Sequence, residues 1–182
     1  MSKFSIKNHK LEQAEYIESI NCSDRPDSND ISLLIVHNIS LPPGKYGGGH
    51  VIHFFQNNLD VSIDTYFEEI SNLKVSSHLF IDRKGSVIQF VPFNKNAWHA
   101  GVSNFKGREN CNDFSIGIEM EGMDDDIYTD DQYETLCSIT SCLMNVYPKI
   151  TSENLVGHCD VAPSRKTDPG ECFDWDRYKE NL

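Results

Sequence analysis

The sequence has little positive charge for its length. Its 182 residues include 16 lysines and arginines against 28 aspartates and glutamates, which gives a formal net charge of −12. Such a charge repels nucleic acids and anionic membranes, so the sequence predicts no partner of either kind. A small diffusible ligand is an easier partner, although on its own the charge is better explained by solubility.

Long apolar runs and paired cysteines are also lacking. No segment approaches the ~20 apolar residues of a membrane span, and MSKFSIKNHKLEQ at the start has neither the apolar core nor the cleavage pattern of a signal peptide. The cysteines are scattered without a CxxC motif, at positions 22, 111, 137, 142, 159 and 172. Free thiols of this kind are typical of a reducing compartment, so we expect a cytoplasmic protein.

The length of the chain predicts one domain. Residues 1–30 are polar and weakly patterned, and we expect them to form an N-terminal arm packed on a single domain at 31–182. A chain of this length buries roughly 70% of the surface that its unfolded form exposes, so it needs no metal to complete a core. Any metal would therefore serve chemistry. We favour a monomer, although nothing in the sequence sets the oligomeric state.

Strand patterns and helix patterns alternate along the chain. Short apolar or alternating runs predict strands at 32–40, at 114–122, at 154–158 and as a hairpin within 75–93. Spacing and capping residues predict helices at 64–73, after Asp64; from Thr129 to Pro148; and at 173–180. This order predicts an α/β (α+β) fold with a central mixed β-sheet flanked by helices.

Two histidines and one aspartate form a candidate metal site. His37 and His158 end apolar runs, LLIVHN and LVGHC, and strand ends open into a cleft in many α/β enzymes. Asp168 lies in the irregular segment GHCDVAPSRKTDPG that begins just before His158. Two imidazoles and one carboxylate suit zinc and leave a fourth position for water. The pattern alone leaves the alternative of a structural strand-end histidine and a turn aspartate before proline.

Hydrolysis at such a site also needs a base and a cation beside the developing negative charge. Glu119 lies on the polar face of the alternating segment FSIGIEMEG, and Lys166 lies just before Asp168. Glu121 shares that strand face and competes with Glu119 for the role of base. Lys166 has the alternative of an ordinary solvated lysine.

Five segments resemble the zinc-dependent N-acetylmuramoyl-L-alanine amidases related to peptidoglycan recognition proteins. The resemblance spans residues 22–178 and is carried by VHNISLPPGKYGGG, KNAWHAGVS, NDFSIGIEMEG, YTDDQYETL and GHCDVAPSRKTDPG. The chain is most similar to the cytoplasmic branch that cleaves anhydro-muropeptides during cell-wall recycling. The resemblance implies a mixed sheet with a zinc groove on one face. It also implies hydrolysis of the amide bond between the lactyl group of N-acetylmuramic acid and L-alanine.

The resemblance further implies a role for each site residue. The implied ligands of one Zn²⁺ per chain are His37, His158 and Asp168. Glu119 is implied as the catalytic carboxylate, and Lys166 as the cation that stabilises the transition state. The implied partner is a small soluble muropeptide.

Five other residues are candidates for substrate binding. The branch commonly carries arginines where this chain has Lys74 and Asn110, and those arginines are associated with carboxylates of the stem peptide. Asparagine lacks the bidentate grip of arginine, for which Arg108 could compensate. Trp98 is a candidate either to contact the sugar or to pack its own loop. Tyr46 could reach the site from a glycine-rich loop.

Two other functions stay open on sequence grounds. One is a muropeptide-binding module without catalysis, which the complete set of implied ligands and Glu119 disfavours. The other is a lytic amidase acting on polymeric peptidoglycan, which the acidic charge and the absence of a signal peptide pattern disfavour. A purely structural zinc would call for a fourth protein ligand, and the sequence offers no convincing one.

Overall fold

A computed structural model of the protein describes residues 3–182 and places a six-stranded β-sheet at its centre. Within this range the strands are β1 (Ile6–Lys7), β2 (Lys10–Leu11), β3 (Glu15–Tyr16), β4 (Cys22–Asp24), β5 (Leu33–Ile39), β6 (Leu79–Ile81), β7 (Val87–Gln89), β8 (Lys95–Ala97), β9 (Asn104–Phe105), β10 (Arg108–Glu109), β11 (Ser115–Glu121) and β12 (Leu155–Gly157). The α-helices are α1 (His50–Phe55), α2 (Thr65–Ile70), α3 (Asp130–Val146), α4 (His158–Val161) and α5 (Trp175–Glu180).

The central sheet is mixed. Its strand order is β12-β5-β11-β6-β7-β3, with parallel pairing everywhere except between β6 and β7, which form the hairpin predicted around Asp82–Gly85. Every residue of β11 is buried, as expected for an inner parallel strand covered on both faces. The register of β11 on β5 places Glu119 directly opposite His37. The mixed sheet with flanking helices confirms the fold class predicted from the sequence.

Apolar clusters cover the two faces of the sheet. On one face, the inward residues of β11 pack with α3 and α5, and this cluster includes Ile116, Ile118, Met120, Leu136 and Tyr178. On the other face, α1 and α2 pack on the sheet through a second cluster that includes Phe54, Phe55, Phe67, Phe80 and Phe90. The helices therefore do not cover the carboxyl ends of β5, β11 and β12, where the residues of the site lie.

The helix starts follow the capping rules that predicted them. The Asp64 side chain accepts a hydrogen bond from the backbone N–H of Tyr66 at the start of α2. Thr129 and Gln132 form a reciprocal capping box at the start of α3. Both helices therefore begin where the sequence places their caps.

Two predicted strand boundaries differ from the structure. The strand predicted at 114–122 begins only at Ser115, because a 3₁₀ turn ends at Phe114, which packs with Leu33 and Ile35. The segment 95–112 contains β8, which pairs with β4, and the β9–β10 hairpin. Strand β12 ends at Gly157, and His158 begins α4.

The segment before β5 is tied to the sheet. Strand β3 pairs with β7 at the sheet edge. The buried guanidinium of Arg25 donates hydrogen bonds to the backbone oxygens of Phe93, Asn112 and Ser115. These contacts link the N-terminal segment to the strand that carries Glu119. Among residues 3–182, no helix combines the length and apolar character needed to cross a membrane.

Candidate metal centre

Three side chains meet in a buried triangle at the carboxyl ends of the neighbouring strands β5 and β12. His37 comes from β5, His158 from the first turn of α4, and Asp168 from the loop that follows. The distances between the two Nδ1 atoms, and from each Nδ1 to Oδ2 of Asp168, are all 3.0 Å. These are the residues that the sequence predicts as ligands.

The triangle fits a tetrahedral zinc ion. Ligand atoms about 2.0–2.2 Å from one tetrahedral ion lie roughly 3.3 Å from one another. Within residues 3–182, only His37, His158 and Asp168 join this group, so one coordination position is left for water or substrate. Burial lowers the pKa of His37 to about 4 and outweighs the hydrogen bond to Asp168, which raises the pKa. The low pKa favours the neutral imidazole that binds metals.

Asp168 offers the negative charge of the triangle. Burial alone would raise the pKa of its carboxyl, but the hydrogen bonds with His158 and His37 outweigh burial and hold the pKa well below its usual range. The carboxylate is therefore ionised at neutral pH, as a metal ligand must be.

The irregular loop between His158 and Asp168 is closed at its base. The backbone N–H of Cys159 donates to the backbone oxygen of Asp168, at 3.0 Å. The next carbonyl, that of Pro169, accepts hydrogen bonds from Asn38 at 3.1 Å and from the Tyr128 hydroxyl at 2.7 Å. These hydrogen bonds close the segment GHCDVAPSRKTDPG into a loop that brings the side chains of His158 and Asp168 together.

Glu119 lines the same cleft as the three ligands. The residue is 8% exposed, and its Oε2 is buried without a hydrogen-bond partner among residues 3–182. Burial raises the pKa of Glu119 well above its usual value, the charge of Asp168 raises it further, and Lys166 opposes both. A carboxyl with a raised pKa and an unused oxygen is suited to take up a proton.

Glu121, the competing carboxylate, is engaged elsewhere. Its Oε1 accepts a hydrogen bond from the backbone N–H of Gly47 at 2.5 Å, and its Oε2 accepts one from the backbone N–H of Arg83 at 3.0 Å. It lines a separate depression with Tyr46 and Arg83. Glu121 therefore fastens the glycine-rich loop to the hairpin, and of the two carboxylates only Glu119 faces the metal centre.

The cleft has one polar wall and one apolar wall around a volume of about 540 Å³. The three candidate ligands, Glu119 and the half-buried Lys166 form the polar side. The apolar side comes from the loop after β5 and from α1 and α2, and includes Leu41, Pro43, Phe54, Tyr66, Ile70 and Leu73. A ligand with a polar reacting bond and an apolar flank would match this arrangement.

None of the five residues predicted to bind substrate is among those that line this cleft. The Arg108 guanidinium donates to Asp30 at 2.6 Å and lies 3.7 Å from the centre of the Phe114 ring, so it is committed to contacts outside the cleft. The ring of Tyr46 lies 4.9 Å from the Arg83 guanidinium, beside the separate depression.

The other three candidates also lie outside the lining of the cleft. Trp98 is half-buried, and its indole Nε1 donates to the Ser23 hydroxyl at 3.4 Å. This contact packs the loop of Trp98 against β4. Lys74 is exposed between Leu73 and Val75, which both line the cleft. Asn110 is exposed with a φ of 57°, a left-handed conformation that asparagine tolerates better than arginine does.

A third histidine, His99, lies behind the centre and lines the cleft. His99 Nδ1 lies 2.9 Å from Nε2 of His37, and His99 Nε2 lies 3.1 Å from the Ser115 hydroxyl. The His158 ring makes a similar contact through its own Nε2, at 3.1 Å from the backbone oxygen of Ala100. Both ligand imidazoles are therefore held from behind.

Gly117 makes room for His99. A Cβ atom at this position would lie 2.5 Å from Cγ and Nδ1 of the His99 ring. A glycine inside a central strand often marks such a close approach, and this is the one signal in the sequence that could have pointed to the contact.

We expect Gly117→Ala to lower the free energy of unfolding by ~1–3 kcal/mol, because the added methyl group overpacks the His99 ring. Chemical denaturation of the metal-free protein measures this change. In a His99→Ala background the same methyl group has space, so Gly117→Ala should cost clearly less there. Equal costs in the two backgrounds would show that the ring does not set the need for glycine.

Comparisons with known proteins place these residues in a family context. The family model described as N-acetylmuramoyl-L-alanine amidase matches residues 27–171. The 1,6-anhydro-N-acetylmuramyl-L-alanine amidase AmpD of Haemophilus influenzae is 53% identical over 177 residues, covering 97% of this chain and 96% of AmpD.

Solved structures agree with the sequence matches. The crystal structure of a selenomethionine derivative of AmpD matches with a TM-score of 0.94 and 48% identity, covering 97% of this chain and 98% of that one. The amidase AmiD of E. coli, in complex with the substrate anhydro-N-acetylmuramic acid-L-Ala-D-γ-Glu-L-Lys, matches with a TM-score of 0.62 and 25% identity. That match covers 100% of this chain and 66% of AmiD.

Proposed function

The chain belongs to the N-acetylmuramoyl-L-alanine amidase family, and on that premise we propose that it uses zinc to hydrolyse anhydro-muropeptides in cell-wall recycling. The bond cleaved is the amide between anhydro-N-acetylmuramic acid and L-alanine, in a soluble substrate and in the cytoplasm. The observation that carries the proposal is the triangle of His37, His158 and Asp168, with the unpartnered oxygen of Glu119 on the same cleft. The name of the AmpD relative and the substrate in the AmiD complex support the anhydro sugar as part of the substrate.

The residues of the cleft divide the chemical work between them. When bound, zinc would polarise the scissile carbonyl and lower the pKa of the attacking water. Glu119 takes a proton from that water and returns it to the alanine nitrogen as the amide bond breaks. Lys166 places positive charge beside the carbonyl oxygen while that oxygen becomes negative.

We further propose that 31–182 form the catalytic domain and that 1–30 form an arm packed on it. Two contacts support this division, the pairing of β3 with β7 and the hydrogen bonds of Arg25 to the segment just before and within β11. The arm would then contribute to the stability of the strand that carries Glu119.

Removal of the metal tests the proposed function. Purified protein is expected to contain one zinc per chain and to release the stem peptide from soluble anhydro-muropeptide. Chelation should abolish release, and added zinc should restore it. Metal content by mass spectrometry and product release by chromatography measure both effects.

Two parallel substrates distinguish the competing functions. Intact sacculi should be cleaved far more slowly than the soluble anhydro-muropeptide. Fast cleavage of sacculi would replace the recycling function with that of a lytic amidase. Bound zinc without cleavage of either substrate would instead indicate a binding module.

A further inference from the structure

The two ligand histidines are supported by different groups. His158 Nε2 lies 3.1 Å from a backbone oxygen, that of Ala100, which is a common partner for a metal-bound imidazole. His37 Nε2 instead lies 2.9 Å from a side-chain nitrogen, Nδ1 of His99. A neutral imidazole has two tautomers, and Nδ1 of His99 can accept a hydrogen bond only when the ring proton is on Nε2. A further contact is needed to fix that tautomer.

Ser115 supplies that further contact. Its hydroxyl lies 3.1 Å from Nε2 of His99, and both residues are buried, with exposures of 0% and 9%. The two ring nitrogens of His99 are therefore both committed to protein partners. Although His99 lines the cleft, it has no ring nitrogen left to exchange protons with a substrate.

We propose that His99 is a positioning residue of the metal centre, which accepts a hydrogen bond from Nε2 of His37 and so holds Nδ1 of His37 toward the metal. The inference rests on the proposed zinc-dependent function. When Nδ1 of His37 is a metal ligand, the ring proton of His37 lies on Nε2 and is donated to Nδ1 of His99. The proton of His99 then lies on its own Nε2 and is donated to the Ser115 hydroxyl.

The packing around His99 places its ring for this contact. The ring lies edge-on to that of His37, with the ring centroids 5.0 Å apart. The space left by Gly117 lets the His99 ring lie against the sheet.

Zinc affinity of His99 variants tests the proposal without relying on turnover. We expect His99→Leu to raise the Kd for zinc about 10–100-fold, the usual loss when a partner of a metal-bound histidine is removed. His99→Gln keeps an acceptor and a donor on one side chain and should recover most of the affinity. Competition with a chromophoric chelator measures the Kd of each folded variant.

A second measurement reports the hydrogen bond itself. In zinc-loaded protein with ¹⁵N-labelled histidine, the Nε2 proton of His37 should exchange slowly with water. Exchange should become fast in His99→Leu and stay slow in His99→Gln. If His99→Leu does not fold, Ser115→Ala decides the matter, because it frees the His99 tautomer and should both speed this exchange and weaken zinc binding.

A buried histidine away from the ligands is the matched control. His78 is 0% exposed and accepts a hydrogen bond from the backbone N–H of Gly117, so His78→Leu damages the same part of the core. It should lower stability and leave the Kd for zinc near the wild-type value. An equal loss of zinc affinity in His78→Leu would overturn the proposal, as would unchanged affinity in folded His99→Leu. Wild-type protein that binds no zinc would instead refute the proposed function itself.

Discussion

Replacing Glu119 by glutamine is expected to lower kcat by ~10²–10⁴-fold while the zinc content stays at one ion per chain. Glutamine has nearly the size of the carboxyl but cannot take a proton from water or return one to the leaving nitrogen. The buried Oε2 of Glu119 has no hydrogen-bond partner among residues 3–182, so few protein contacts are lost with the charge. Steady-state release of the stem peptide and metal analysis of the same preparation check both halves of the expectation.

Glu121→Gln is the matched control because it makes the same chemical change on the same strand face. Its two oxygens accept hydrogen bonds from Gly47 and Arg83, and glutamine keeps one acceptor of the two. We expect lower stability and a looser glycine-rich loop, with kcat close to that of the wild type. A greater loss of kcat in Glu121→Gln than in Glu119→Gln would show that the roles of the two carboxylates are reversed.

Asp168→Ala is expected to remove both the zinc and the activity. The change deletes one of three ligands and the only negative charge in the triangle with His37 and His158. The loss of kcat/KM should be at least as large as the ~10²–10⁴-fold expected from losing the general base, because Glu119 then has no polarised carbonyl or activated water to act on. Equilibrium dialysis against zinc and a sensitive peptide-release assay measure the two losses.

Asp160 provides a comparison within the same segment. Its carboxylate is exposed and accepts a hydrogen bond from the backbone N–H of Gly157 at 2.7 Å, at the start of α4. Asp160→Ala makes the same change in charge and should cost about 0.5–2 kcal/mol of stability through the lost cap. It should keep zinc and most of the activity. Zinc bound to Asp168→Ala with wild-type affinity would exclude Asp168 as a ligand.

Two of the three candidate ligands were predictable from local patterns. His37 and His158 each follow a short apolar run, and parallel strands bring such positions to one edge of a sheet. Asp168 has no pattern of its own, and only the resemblance to a family singled it out as a candidate ligand. The structure adds the reason it reaches the site, since hydrogen bonds at the base of the loop return the chain to His158.

The choice between Glu119 and Glu121 could not be made from periodicity. The two residues have the same parity on β11 and therefore face the same side of the sheet. What separates them is the backbone of Gly47 and Arg83, distant in sequence, which occupies the oxygens of Glu121. Such contacts join residues that are distant in the sequence, and a short-range pattern cannot predict them.

The proposed role of His99 could not be predicted from the sequence for the same reason. Its partners His37 and Ser115 come from two different strands, and nothing near His99 in the sequence points to either. The candidate Arg108 was chosen for its charge alone. Its guanidinium contacts Asp30 and the ring of Phe114, two partners that the local sequence does not indicate.

The space at Gly117 sets a condition for rebuilding this centre in another protein. A designer who copies His37, His158, Asp168 and Glu119 onto a new sheet reproduces the donor atoms but leaves nothing behind them to hold the rings. The strand beside them must also contain a position without a side chain, because a Cβ at Gly117 would lie 2.5 Å from the supporting imidazole. A transplanted site therefore has to include a glycine at this strand position as well as the ligands.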